Sequence, residues 1–96
     1  MSFIGWHTVR VPGGLTPEIL KTVEDAAFAW LRGHGATQVW LVKQSEDTYR
    51  IIETWPDRAK HSKFIETARV GVLYFKAFGG EMVEGQGGAG DIVASR

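Results

Sequence analysis

The residues of this chain that can do chemistry are few: three histidines, two tyrosines, eleven acids and no cysteine. His7, His34 and His61 have no i, i+4 partner among themselves, and no cysteine or close carboxylate pattern accompanies them, so the spacing points away from a metal site. His7 stands in an alternating apolar stretch, where a neutral imidazole facing a cavity can take a proton from a phenolic ligand; a hydrogen-bonded structural histidine is the competing reading. His61 falls on an apolar helical stripe, at the edge of a core or of a pocket. His34, between Gly33 and Gly35, is expected to meet solvent at a helix end. Tyr49, Glu53 and Trp55 share one face of a strand by alternation, and with Tyr74 they can bring phenol, carboxylate and indole to one pocket. Core packing with a surface carboxylate explains the same pattern. The candidate set is therefore His7 and Tyr74 as catalytic residues, with Tyr49, Glu53, Trp55, His61 and Phe64 contacting substrate.

Other signals carry less. Gly85-Gln86-Gly87-Gly88-Ala89-Gly90 matches the spacing of a dinucleotide-binding turn, but it opens no helix and only six residues follow it, so it reads as a flap or connector. No Ser/His/Asp set or carboxylate pair assembles by spacing. Eleven basic residues balance eleven acidic ones, which leaves no broad positive field for nucleic acid or an anionic membrane. The absence of cysteine removes disulfides, thiolate metal sites and a cysteine nucleophile, and suits a reducing cytoplasm. No apolar run approaches the roughly 18 residues of a membrane span, and the first residues carry no basic leader, so a soluble cytoplasmic protein is expected. Composition is that of a folded protein, 44% hydrophobic and 23% charged, and four tryptophans are enough for some to line a cavity.

Positioning these residues requires six elements. Phe3 to Val11 alternates β-branched and aromatic residues and ends at Pro12-Gly13-Gly14, predicting a strand with apolar side chains on both faces. Thr16-Pro17-Glu18 is a helix start: a hydroxyl for an orphan amide, proline at the first position, an acid at the positive end of the dipole. Ile19, Val23, Ala26, Ala27, Trp30 and Leu31, with Leu20, form its apolar stripe. Phe28 lies opposite, as an interface residue or an isolated exposed ring, and Gly33 and Gly35 are read as left-handed stops. Gln38–Lys43 and Thr48–Trp55 are strands joined by a short polar turn. Asp57 caps a second helix with His61, Phe64, Ile65, Ala68 and Val72 on its apolar side. From Val70 the pattern fits either an alternating strand over 70–75 or a helical stripe of Gly71, Phe75, Phe78, Gly79 and Met82, and a further helical segment kinked near Gly71 is the favoured reading. A flexible loop over 84–90 then leads to a short strand at Asp91–Ala94.

The order β-α-β-β-α-β over one 96-residue domain predicts a ferredoxin-like α+β fold: a four-stranded antiparallel sheet with both helices on one face. The sheet's other face is apolar and no segment remains to cover it, which predicts a homodimer in which two sheets face each other as a dimeric α+β barrel. The Gly13-Gly14 turn, the passage Glu53-Thr54-Trp55-Pro56-Asp57-Arg58-Ala59, and Tyr74-Phe75-Lys76-Ala77-Phe78 resemble the dimeric α+β barrel superfamily, in particular its antibiotic biosynthesis monooxygenase-like branch, over nearly the whole chain.

The resemblance implies two kinds of activity. Haem-degrading relatives use an Asn, a Trp and a His whose counterparts here are His7, Phe64 and Tyr74, so that triad is not retained. Quinone-forming relatives need no bound cofactor and use an aromatic pocket with a few polar groups. The expected function is that of a dimeric barrel that binds a small hydrophobic or aromatic ligand, as a cofactor-independent monooxygenase of an aromatic or polyketide-like substrate. The alternative is a non-catalytic ligand-binding or assembly module of the same fold.

Overall fold

The computed structural model describes residues 2–67, 79–83 and 85–96. Strand β1 (Phe3–Arg10) pairs antiparallel with β3 (Thr48–Trp55), from Phe3 opposite Trp55 to Arg10 opposite Thr48, and β2 (Gln38–Lys43) pairs antiparallel with the other edge of β3. Two short strands, β4 (Glu81–Met82) and β5 (Gly88–Asp91), lie end to end along the free edge of β1. The sheet order is β2-β3-β1 followed by β4 and β5. This is the ferredoxin-like arrangement of an α+β chain, with the strand expected at the end of the chain supplied in two pieces.

The first helical rod begins where expected. Thr16 Oγ1 accepts the Ile19 amide at 3.2 Å and Pro17 opens α1 (Pro17–Thr22), so an orphan amide is satisfied and the helix starts with a preset φ. A π-helical segment, Val23–Phe28, runs on into α2 (Ala29–Gly33) without leaving helical dihedrals. Its wider i→i+5 turn shifts the following side chains around the rod. Phe28, which a regular helix places on the outer face, instead packs against the core, as Trp30 and Leu15 also do. Gly33 stays helical, and only Gly35, at φ +112, takes the left-handed conformation that ends the rod.

Helix α3 (Arg58–Thr67) is capped by Asp57, whose Oδ1 accepts the Lys60 amide at 2.9 Å. His61 and Phe64 are its buried positions, whereas Ile65 is 42% exposed. Helices and sheet enclose Phe3, Val9, Val11, Leu31, Val39, Ile51, Trp55 and Phe64, with Trp55 0% exposed at the centre. Among the described residues, no helix is long and apolar enough to cross a membrane.

Two boundaries differ from expectation. Gly79 has φ +78 and Glu81–Met82 pair with Val9 and Arg10, so Met82 belongs to a strand edge and not to a helical stripe; residues 70–78 of that expected segment, and Ala68 of the preceding stripe, lie outside the described residues. The last strand starts inside the glycine run, at Gly88, and stops at Asp91, after which the Ile92 amide donates to the Ser2 carbonyl at 2.8 Å. Glycine is required there because a Cβ on Gly88 would stand 2.5 Å from the Trp6 indole.

Alternation along the paired strands divides the side chains between two faces. Phe3, Gly5, His7 and Val9 face the helices with Tyr49, Ile51, Glu53 and Trp55. Ile4, Trp6, Ile52, Trp40 and Val42 take the other face, where Trp40 is 43% and Val42 42% exposed. The tryptophans are thus split, Trp55 in the core and Trp6 and Trp40 on the open face.

Candidate functional site

Glu53 lies in the middle of β3 on the helix-facing side, with Gly5 of β1 and Val39 of β2 as its cross-strand neighbours. Both neighbours are uncharged, and one has no side chain at all. A Cβ built on Gly5 would lie 2.6 Å from His61 Nε2 and 3.0 Å from Glu53 Oε1, so the missing side chain is the space into which carboxyl and imidazole converge. His7, one pleat along β1, places Nε2 3.8 Å from the same Glu53 Oε1. Three elements thereby bring His7, Glu53 and His61 together under α3.

The surroundings of this cluster are dry. Glu53 is 0% and His61 7% exposed, and among the described residues neither Glu53 oxygen, nor His61 Nε2, nor Trp55 Nε1 has a hydrogen-bond partner. Burial disfavours the carboxylate and pushes Glu53 up to about 8; the neighbouring Trp55 N–H offsets this in part, without closing a hydrogen bond. Burial also holds His7 below the ordinary histidine value, reinforced by the proximity of His61, and burial alone does the same to His61. At neutral pH all three groups are therefore uncharged: an acid that retains its proton beside two imidazoles that lack a second one. That combination is suited to passing a proton between neighbouring groups. Among the described residues, no group of three His, Cys, Asp or Glu side chains has the arrangement of a metal site.

The cluster opens to solvent through its histidines. His7 and Thr8 of β1, His61 and Ile65 of α3, Met82, and the glycine-rich stretch before and within β5 line a cleft of about 510 Å³. Glu53 is not part of the lining and lies behind the two imidazoles. The stretch between β4 and β5 is tied down by β1 itself: Thr8 Oγ1 donates to the Gln86 carbonyl at 2.7 Å, and the Val83 amide donates to the Thr8 carbonyl at 2.9 Å. The stretch anticipated as a flexible loop is thus an anchored wall of the cleft.

The expected site residues separate accordingly. His7, Glu53 and His61 come together. Trp55 and Phe64 are buried beside them, their rings 4.9 Å apart and His61 packed against Trp55 at 5.7 Å, and they support the imidazole without lining the cleft. Tyr49 lies toward the other end of β3, where its hydroxyl accepts the Leu15 amide at 2.8 Å and pins the turn after β1. Tyr74 lies outside the described residues. His34 is exposed at the helix end, its ring 5.0 Å from Trp30. Gly5 and Thr8 were not anticipated; the available signal for Gly5 was a glycine in the middle of an otherwise well-formed strand, which marks a close approach.

No protein-family model matches the chain, and no curated protein matches it. Among solved structures it is similar to a dimeric ferredoxin-like protein from an uncultured marine organism, with a TM-score of 0.65, 12% identity, and coverage of 99% of this chain and 98% of that one. At that identity the likeness shows the ferredoxin-like fold and transfers no residue role.

Proposed function

We propose that this protein is a homodimer that binds a small aromatic, hydroxyl-bearing ligand in the cleft between β1, α3 and the 83–89 stretch, and oxidises it with molecular oxygen without a bound cofactor. The observation that carries the reading is the convergence of His7, Glu53 and His61: Glu53 and His61 are buried, and the imidazoles of His7 and His61 form the cleft wall. A phenol delivering its hydroxyl to the cleft-facing nitrogen of His7 loses its proton there when that nitrogen carries none, and the resulting electron-rich ring is the species that reacts with oxygen. The stoichiometry closes as phenol plus O₂ giving quinone plus water: one oxygen atom replaces the ring hydrogen, and the other leaves with the two hydrogens. The membership expected from the Glu53–Ala59 and Tyr74–Phe78 passages, in the antibiotic biosynthesis monooxygenase-like branch, agrees with this chemistry.

Dimerisation through the open sheet face is supported by Trp40 and Val42, more than two-fifths exposed beside Ile4, Trp6 and Ile52, and by the description of the structural neighbour as dimeric. An apolar sheet face of this kind is buried most economically against its own copy.

A panel of naphthols and hydroxyquinones, followed by tryptophan fluorescence and by oxygen uptake, tests the reading. Saturable binding with oxygen uptake that disappears in His7→Ala is the expected result. Binding without oxygen uptake removes the enzyme and leaves the alternative, a non-catalytic ligand-binding module. Absence of both overturns the ligand reading.

A further inference from the structure

We infer that Glu53 is a positioning residue that decides which nitrogen of His7 carries the proton, and so whether Nδ1 meets a ligand in the cleft as an acceptor or as a donor. The geometry sets the two nitrogens apart. Nε2 points inward, 3.8 Å from Glu53 Oε1, a few tenths of an ångström beyond hydrogen-bonding reach. Nδ1 points the other way, 3.6 Å from the place a Gly87 Cβ would occupy, and Gly87 and His7 both line the cleft. One ring therefore bridges a buried carboxyl and the ligand space, in the same relation as the carboxylate and the orienting nitrogen of a catalytic histidine.

The state of the carboxyl determines what the ring presents. An ionised Glu53 draws the imidazole proton to Nε2 and leaves the Nδ1 lone pair toward the cleft, ready to take a proton from a hydroxyl. A protonated Glu53 offers its own O–H to Nε2, the ring proton moves to Nδ1, and His7 presents a donor suited to an oxyanion or a carbonyl oxygen. Among the described residues, few other groups can interfere. On β1 the residue opposite Glu53 is Gly5 and on β2 it is Val39; from α3 the titratable group facing the carboxyl is His61, held neutral by burial, and within β3 the Trp55 N–H lies alongside. With Glu53 pushed up to about 8, the exchange between the two forms of His7 falls in the mildly alkaline range.

The role assigned to Nδ1 toward a ligand rests on the proposed function; the control of the tautomer does not, and it is measurable without ligand. The experiment is a pH series from neutral to alkaline on the full chain with ¹⁵N-labelled histidine, recording two-bond ¹H–¹⁵N correlations that distinguish Nδ1–H from Nε2–H, with His7→Ala identifying the His7 signals. His7 is expected to pass from Nδ1–H to Nε2–H with a midpoint near pH 8, and Glu53→Gln, which cannot ionise, is expected to lose that step. The same step persisting in Glu53→Gln, or a single tautomer throughout the series in the wild type, overturns the inference. In the wild type the ¹³C shift of the Glu53 carboxyl must share the midpoint of the His7 step; separate midpoints overturn it as well, independently of how the variant folds. Failure of the phenol panel with the tautomer step intact removes the proposed function alone.

Discussion

Gly5 and Glu53 stand directly opposite one another on the β1–β3 ladder, and the side chain that Gly5 lacks is the room that the Glu53 carboxyl and the His61 imidazole both border. A glycine inside a strand costs stability through lost packing and a larger loss of chain entropy. Here the glycine leaves room for a buried cluster that no larger residue would admit.

Gly5→Ala should therefore destabilise the fold, because the new methyl would lie 2.6 Å from His61 Nε2 and 3.0 Å from Glu53 Oε1. Overpacking of this kind costs about 1–3 kcal/mol. Urea unfolding checks it, and the double variant Gly5→Ala/His61→Ala should recover much of the loss by removing the nearer of the two obstacles.

Glu53 should make stability fall as pH rises from mildly acid values to about 8. Its carboxyl is raised from 4.5 to about 8 by burial, so between those values the unfolded chain has released a proton that the folded chain still holds, and folding weakens as pH rises through that window and levels off above it. His7 and His61 act in the opposite sense: their folded values are depressed below 6.5, so their contribution is complete above 6.5 and is lost as pH falls. Glu53→Gln should abolish that decline and be more stable than wild type near pH 9 by on the order of a few kcal/mol. Thermal unfolding at a series of pH values measures the difference.

Trp40→Glu should produce a monomer. Trp40 is 43% exposed in the middle strand positions of the open face, beside Val42 and opposite Ile52, where a carboxylate opposes burial against a second copy. Light scattering at micromolar concentration distinguishes a wild-type dimer from a monomeric variant, and a wild-type monomer contradicts the homodimer.

Tyr49→Phe removes the acceptor of the Leu15 amide and leaves that amide unpaired beside a half-buried turn. A loss of about 1–3 kcal/mol is expected, with faster hydrogen exchange at Leu15.

Thr8→Val preserves shape but deletes the donor to the Gln86 carbonyl, at a cost of about 1 kcal/mol. Hydrogen exchange should rise in the stretch between β4 and β5, the wall of the cleft, more than in β3.

Much of this fold was legible from local chemistry. Alternation put Tyr49, Glu53 and Trp55 on one face, and Thr16-Pro17 and Asp57 marked helix starts that the hydrogen bonds to Ile19 and Lys60 bear out. Such signals depend on neighbours within a turn or a strand pair, so they survive without knowledge of the rest of the chain. Phe28 was misplaced because a π-helical segment alters the period on which helical faces are assigned. The final strand was placed three residues too late, at Asp91–Ala94, because glycine lacks strand propensity, whereas the Trp6 ring against Gly88 leaves no room there for a side chain.

The site divides in the same way. Sequence alone determined that His7 lies in a strand, Glu53 on the face of Trp55, and His61 on the buried side of a helix, because each follows from a period of two or 3.6 residues. Only the tertiary structure decided that the three meet. The seating of α3 over Gly5 brings residues from β1, β3 and α3 together around a buried carboxyl, and both the proton on Glu53 and the neutrality of the histidines follow from that burial.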